Sequence, residues 1–270
     1  MEPIRSDASP ELIASSAALN LQMHMTYAQR RTAGMRVESD ASLTLADSGL
    51  HTDTFNTVCC ACLDSSAVPE RIAAVVAHFR RARRPFSWWV GPADRPPDLG
   101  DALVRSGLQM KGTEVAMAAY LERLAPLPHG PGGLRIELVT NAGQLATYAR
   151  LLAGLEQPPH RAVIAFYETA GRAFSDPATP LHLYLGFIGN VPVATAELAL
   201  AGGVAGLYNI STAEEYRGRG IGGAMSLRPL LDARRAGYHV GVLQAAEAGV
   251  GVYRRIGFEG RGEYREYGAR

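Results

Sequence analysis

Arg217-Gly218-Arg219-Gly220-Ile221-Gly222-Gly223 lies between an apolar, strand-like run and a helical pattern, and its reading decides what kind of chain this is. Glycines let a backbone approach a ligand with no Cβ in the way, and the free N–H groups at a helix start form a cradle for phosphate oxygens. Arg217 and Arg219 either add charge to that cradle or stand as solvated loop residues. The same letters satisfy G-x-G-x-x-G through Gly218, Gly220 and Gly223, a weak dinucleotide fingerprint when it stands alone. A dinucleotide fold needs a strand running straight into the first glycine, whereas Thr212-Ala213-Glu214-Glu215-Tyr216-Arg217 intervenes here. It also needs further strand–helix units, and only 47 residues follow Gly223. A P-loop is excluded because no Lys-Ser or Lys-Thr follows the glycines.

Working outward, the second half reads as an α/β unit with a mostly antiparallel sheet. A strand over 134–139 precedes helical stretches over 142–155 and 161–174, the first entered through Thr140 or Asn141 as N-cap. Runs 181–188 and 191–200 flank Gly189-Asn190 as a hairpin. A strand (204–211), the glycine loop, a helix (221–236), a strand (238–244), a short helix (247–255) and a last pair of strands follow.

The chain also repeats itself. Phe55-Asn56-Thr57-Val58 resembles Tyr208-Asn209-Ile210-Ser211, Ala82-Arg83-Arg84 resembles Ala233-Arg234-Arg235, and the segment around Gly107 resembles that around Gly257. The offsets are 153, 151 and 150 residues. The Pro/Gly-rich stretch 126–133 breaks both helix and strand and reads as the linker between domains 1–125 and 134–270. The first copy opens on a helical stretch, 11–30, without a counterpart to the opening strand of the second.

With these residues in place, the second half resembles the GNAT superfamily of N-acetyltransferases. Arg217-x-x-Gly220-x-Gly222 is similar to that family's pyrophosphate-binding signature, and Val252-Tyr253-Arg254-Arg255-Ile256-Gly257-Phe258 to its later helix-to-strand segment, over about 134–270. The resemblance implies two tandem GNAT-like domains of α/β (α+β) class, the first lacking the cofactor loop, and acetyl-CoA as cosubstrate. It implies that the strand before the loop parts from its neighbour, so that the backbone of Ile210, Ser211 and Thr212 binds the pantetheine arm like an added strand. The Arg217, Gly218, Arg219, Gly220, Ile221, Gly222 and Gly223 backbone and side chains would hold the pyrophosphate. An N–H of Ile210 or Ser211 would stabilise the developing oxyanion. Tyr253 matches the tyrosine that protonates the departing thiolate, its other reading being a packed aromatic.

Direct attack on acetyl-CoA needs a base, because an alkyl ammonium has a pKa near 10. Glu197 interrupts the small and apolar Ala194-Thr195-Ala196-Glu197-Leu198-Ala199 and is the candidate, with a solvent-facing carboxylate as the alternative. Asn209 and Tyr184 are candidates for orienting substrate. Glu247 stands where the family often has a small polar residue near the pantetheine. The acceptor would be a primary amine of a small molecule or peptide. A non-catalytic acyl-CoA-binding module is the second reading, and a nicotinamide enzyme the third.

Charge and composition narrow the remaining classes. Lys+Arg 27 against Asp+Glu 26 leaves no global basic field for nucleic acid or membranes. Arg80, Arg81, Arg83 and Arg84 fall at a helix C-terminus, where positive charge complements the dipole. Cys59, Cys60 and Cys62 sit too close together to staple distant segments, lack a second ligand pair for a metal, and read as part of one buried strand. The N-terminus reads as neither a signal peptide nor a spanning helix, so the expected setting is cytoplasmic, for a monomer or homodimer.

Overall fold

A computed structural model describes residues 1–126 and 132–269. Leu127 to Pro131 of the expected linker lie outside the described residues. The first half runs α1 (Pro10–Arg30), β1 (Arg36–Ser39), β2 (Thr44–Asp47), β3 (Thr57–Cys59), α2 (Val68–Ala82), β4 (Ser87–Val90), α3 (Leu99–Arg105) and β5 (Gln109–Tyr120). The second runs β6 (Leu134–Leu138), α4 (Ala142–Ala153), α5 (Arg161–Thr169), α6 (Gly171–Phe174), β7 (Leu181–Ile188), β8 (Val191–Ala201), β9 (Val204–Thr212), α7 (Ile221–Arg235), β10 (Val240–Ala245), α8 (Glu247–Ile256) and β11 (Glu259–Gly268). The sequence from β1 to β5 with α2 and α3 repeats that from β7 to β11 with α7 and α8, as the internal matches imply.

All eleven strands form one sheet in the order β1-β2-β3-β4-β11-β5-β10-β9-β8-β7-β6. Among the described strands, only β3–β4 and β9–β10 pair in parallel. Each half lends its last strand to the other: β5 lies between β10 and β11, while β11 lies between β5 and β4. The apolar end of β5, Ala116 to Ala119, is buried and pairs with Val242, Leu243 and Gln244 of β10 and with Ala118's partner Glu259 on β11. Residues alternate across the sheet. On one face Leu183 and Leu185 join α4 and α5, and on the other Tyr184, Leu198 and Leu207 join α7 and α8.

Helix α1 starts at Ser9, whose side chain accepts from the Leu12 N–H, with Pro10 in the first turn. Although it opens the first half, it packs on the second-half strands β8 and β9. Asn20 is fully buried there and its Nδ2 donates to the carbonyls of Ala199, Ala201 and Val204 at 2.9–3.0 Å. A Cβ on Gly206 would meet Asn20 Oδ1, so that glycine permits the close approach.

Several sequence expectations need correction. The strand through the cysteines ends at Cys59: Cys60 has φ 56°, its thiol donates to the Ala18 carbonyl, and Cys62 is exposed. The helix expected over 161–174 breaks at Ala170, and the expected last pair of strands is the single strand β11 with an irregularity between Gly260 and Glu263. The match of Asn56 to Asn209 is out of structural register. Asn56 clips a turn by donating to Leu50, Thr52 and Pro85 carbonyls, whereas the left-handed backbone of Asn209 (φ 52°) has its counterpart at Cys60.

Strand exchange should make the halves unfold as one cooperative unit. In urea, fluorescence of Trp88 and Trp89, both in the first half, and circular dichroism of all helices should share one midpoint. Separate midpoints would show that the halves unfold independently.

Candidate active site

The parallel pairing of β9 with β10 covers Ala205 to Leu207 against Gly241 to Leu243 and then stops. Beyond it, β10 continues with β5, and β9 continues with β8 through Ser211–Thr195 and Thr212–Ala194. The two strands therefore part, leaving one edge of β9 without a ladder partner from Tyr208 onward. The cause is local. Asn209 adopts a left-handed conformation, the β8–β9 register shifts between Thr195 and Glu197, and the Thr195 hydroxyl takes over the Asn209 carbonyl at 2.8 Å. The Ala213 N–H donates to Val193 of β8, so by strand alternation Ser211 also faces β8, and Ile210 and Thr212 face the open side.

The glycine loop stands at the end of this edge. Gly218 and Gly220 have φ 75° and 79°, and a Cβ on either would meet no atom within 4 Å. Gly220 is the N-cap of α7, no side chain caps the helix, and its first internal bond is Ala224 N–H to Gly220 O. The N–H groups of Ile221, Gly222 and Gly223 precede that bond and point out of the helix start, where the dipole favours an anion. Arg217 Nε donates to the Thr212 carbonyl, and Arg219 donates to the Glu215 carbonyl and lies over the Tyr216 ring. The first half offers no such cradle: from the kink at Cys60 to α2 there are seven residues (61–67), against eleven (210–220) after Asn209, and the first turn of α2 carries Pro69 and Glu70. The open glycine backbone, the uncapped helix and the unpaired strand edge fit the pyrophosphate and amide arm of CoA.

Tyr253 lies on α8 and packs edge-on against Phe258. Burial pushes its phenol up to about 12, with the Ser226 hydroxyl acting downward and the Glu114 charge upward. It is therefore protonated at neutral pH. Glu197, 1% exposed, turns into the molecule rather than to solvent. Its Oε1 meets His24 Nδ1 at 2.7 Å and its Oε2 accepts from Asn209 Nδ2 at 2.9 Å. His24 comes from α1 and stacks on Tyr208 at 3.9 Å with the rings parallel. Its role is visible only once α1 is seen to cross onto the other half; no spacing in the sequence links positions 24 and 197.

Glu197, His24 and Asn209 line a cavity of about 440 Å³ between the halves. Tyr184 does not reach it: its hydroxyl donates to Asp232 of α7 on the opposite face of the sheet. Glu247 is exposed at the first turn of α8. Of the arginines at the end of α2, Arg84 pairs with the buried Asp47 at 2.7 Å. Among the described residues, no cluster of His, Cys, Asp and Glu could hold a metal ion, and no helix is long and apolar enough to cross a membrane.

The parted parallel strands thus lead directly into a glycine-entered helix. Residues 149–258 match the acetyltransferase (GNAT) family. The matched segment runs from α4 through the glycine loop to the turn after α8, and proteins of that family draw on acetyl-CoA as the cosubstrate of acyl transfer. The chain's fold is shared by a GCN5-related N-acetyltransferase from Kribbella flavida, with 21% identity over 98% of this chain and 96% of that one at a TM-score of 0.71. A tandem GNAT protein from the clavulanic acid biosynthesis pathway is similar at 16% identity over 99% and 97%, with a TM-score of 0.60. A GCN5-related N-acetyltransferase from Sphaerobacter thermophilus is similar at 15% identity over 99% and 93%, with a TM-score of 0.59. Among curated proteins, none is significantly similar in sequence.

Asn20 anchors the helix that delivers His24. Asn20→Ala removes the side-chain donor to the carbonyls of Ala199, Ala201 and Val204 and should lower stability by roughly 2–4 kcal/mol in urea titration; an unchanged midpoint would remove Asn20 as the anchor.

Proposed function

We propose that the protein transfers the acetyl group of acetyl-CoA to a primary amine of a small molecule or peptide by direct attack, without a covalent acyl-enzyme. The observation that carries this reading is the open edge of β9 aligned with the uncapped start of α7. The backbone of Gly218, Gly220, Ile221, Gly222 and Gly223 would hold the pyrophosphate, with Arg217 and Arg219 adding charge at its rim. Of the expected Ile210, Ser211 and Thr212, the first and last would take the pantetheine arm on the open side of β9, while Ser211 between them is turned to β8. Residues 134–270 would supply this machinery, and residues 1–125 would shape the acceptor side.

In the reaction the amine nitrogen bonds to the carbonyl carbon and the carbon–sulfur bond breaks. The outward-facing Ile210 N–H is placed to stabilise charge on the carbonyl oxygen. Glu197, through water and together with His24, takes the proton shed by the substrate ammonium. Tyr253 gives its proton to the departing thiolate and recovers one from the second proton that the attacking nitrogen sheds. The raised phenol keeps that proton available across the neutral and mildly alkaline range.

Tyr253→Phe should lower kcat by about 10²-fold while leaving the KM for acetyl-CoA within a few-fold. Thiol release in steady-state assays reads both, and an unchanged kcat would take Tyr253 out of the reaction. Gly220→Val places a branched side chain at a left-handed backbone position in the mouth of the cradle, and should abolish acetyl-CoA binding by calorimetry with the fold intact by circular dichroism. Retained binding would move the pyrophosphate elsewhere.

A further inference from the structure

The cavity behind Glu197 has a marked charge imbalance. Asp53, Glu114, Glu156, Glu197 and Glu266 line it, and among the described residues no lysine or arginine does. Glu197 has its partners in His24 and Asn209. Glu114 on β5 and Glu266 on β11 are diagonal neighbours on one face of the sheet, and neither has an ion-pair partner among the described residues. Glu266 accepts from the Ser87 hydroxyl. Burial, and then the charge of Glu266, raise the carboxyl of Glu114 above its usual range. Two carboxylates in one sheltered wall repel each other unless a cation joins them.

An independent feature points the same way. Gln29 of α1, 3% exposed, lines the cavity with its side-chain carbonyl oxygen unpartnered. A buried acceptor without a donor costs free energy until a ligand supplies one. Much of the remaining wall is apolar and in part aromatic: Phe55 stacks on Phe166 at 3.8 Å, and Trp89, Tyr167 and Phe174 stand beside aliphatic side chains such as Met25 and Leu152. Such walls bury a flat apolar body and favour cations over their faces.

Resting on the acetyl-transfer reading of this site, we propose that the acceptor is a dication: a primary amine on an apolar, aromatic-sized body carrying a second positive group, held by Glu114 and Glu266. The gap between β9 and β10, where the amine reacts, is about two strand spacings, or roughly 10 Å, from the boundary of β5 and β11. An ammonium rests about 2.8 Å from the carboxylate that holds it, so the two charges of the ligand lie within that distance, roughly 7 Å apart.

Three matched probes test this: 1,4-bis(aminomethyl)benzene, 4-methylbenzylamine and 4-(aminomethyl)benzoate, which differ at the far end in charge alone or nearly so. The diamine should have a KM about tenfold below that of the methyl compound, and the benzoate the highest of the three. Glu266→Gln, which keeps an oxygen to accept from Ser87, should shrink the diamine-to-methyl ratio to less than about twofold. Equal KM values, preference for the benzoate, or a ratio that survives the substitution would overturn the assignment. Calorimetric titration with the diamine reads the cavity without turnover. Saturable binding weakened by Glu266→Gln, with no amine acetylated, would support the cation site and sink the reaction. Acetylation of all three amines alike would support the reaction and sink the cation site.

Discussion

The separation of β9 from β10 after Leu207 is the constraint on which the site depends. Two parallel strands that stayed paired to their ends would consume the N–H groups of Ile210 and Thr212 in the ladder and leave no room for an extended ligand arm. The left-handed residue Asn209 prevents this, and Thr195 makes the conformation tolerable by satisfying the displaced carbonyl. The same kink exists at Cys60 in the first half. There the chain turns into its helix within seven residues, with Pro69 and Glu70 where the glycines would be, so an equivalent backbone feature leads to no anion cradle.

The second determinant is the exchange of terminal strands. β5 and β11 pair with each other and each joins the opposite half, so the sheet is continuous and the cavity forms across it. Helix α1 then closes that cavity from above, tied by Asn20 to β8 and β9, with the Asn20 Oδ1 itself accepting from Tyr208. A residue of the first half, His24, thereby reaches the buried carboxylate of the second. The diverged half contributes walls and, in the proposed reaction, a partner for Glu197, so it can lack a cofactor loop and still line the cavity.

Much of this was legible in the sequence because it is local. The order of elements in the second half follows from hydrophobic period and glycine position, and the loop from Arg217 to Gly223 lies between its strand and helix as read. The repeat was visible at the helices and at Gly107 and Gly257, but its first match paired Asn56 with Asn209. Similar letters serve different ends there, a turn clip in one and a strand kink in the other. The path of the chain between halves was not legible. Nothing in the composition of β5 distinguishes a strand that stays home from one that crosses, since both need only an apolar inner face. His24, Gln29, Glu114 and Glu266 are brought together by that crossing alone, and isolated polar residues on a helix or strand give no sign of a shared cavity. Tyr184 illustrates the converse: one position of strand alternation puts it on the α7 face instead.

The most direct test of the account is hydrogen–deuterium exchange of the whole chain with and without acetyl-CoA, read by peptide. Exchange should slow only at Ile210–Thr212 and over the loop and first turn spanning Gly218–Ala224, with no change over residues 61–70 of the first half. Protection over 61–70, or none at the β9 edge and the start of α7, would contradict it.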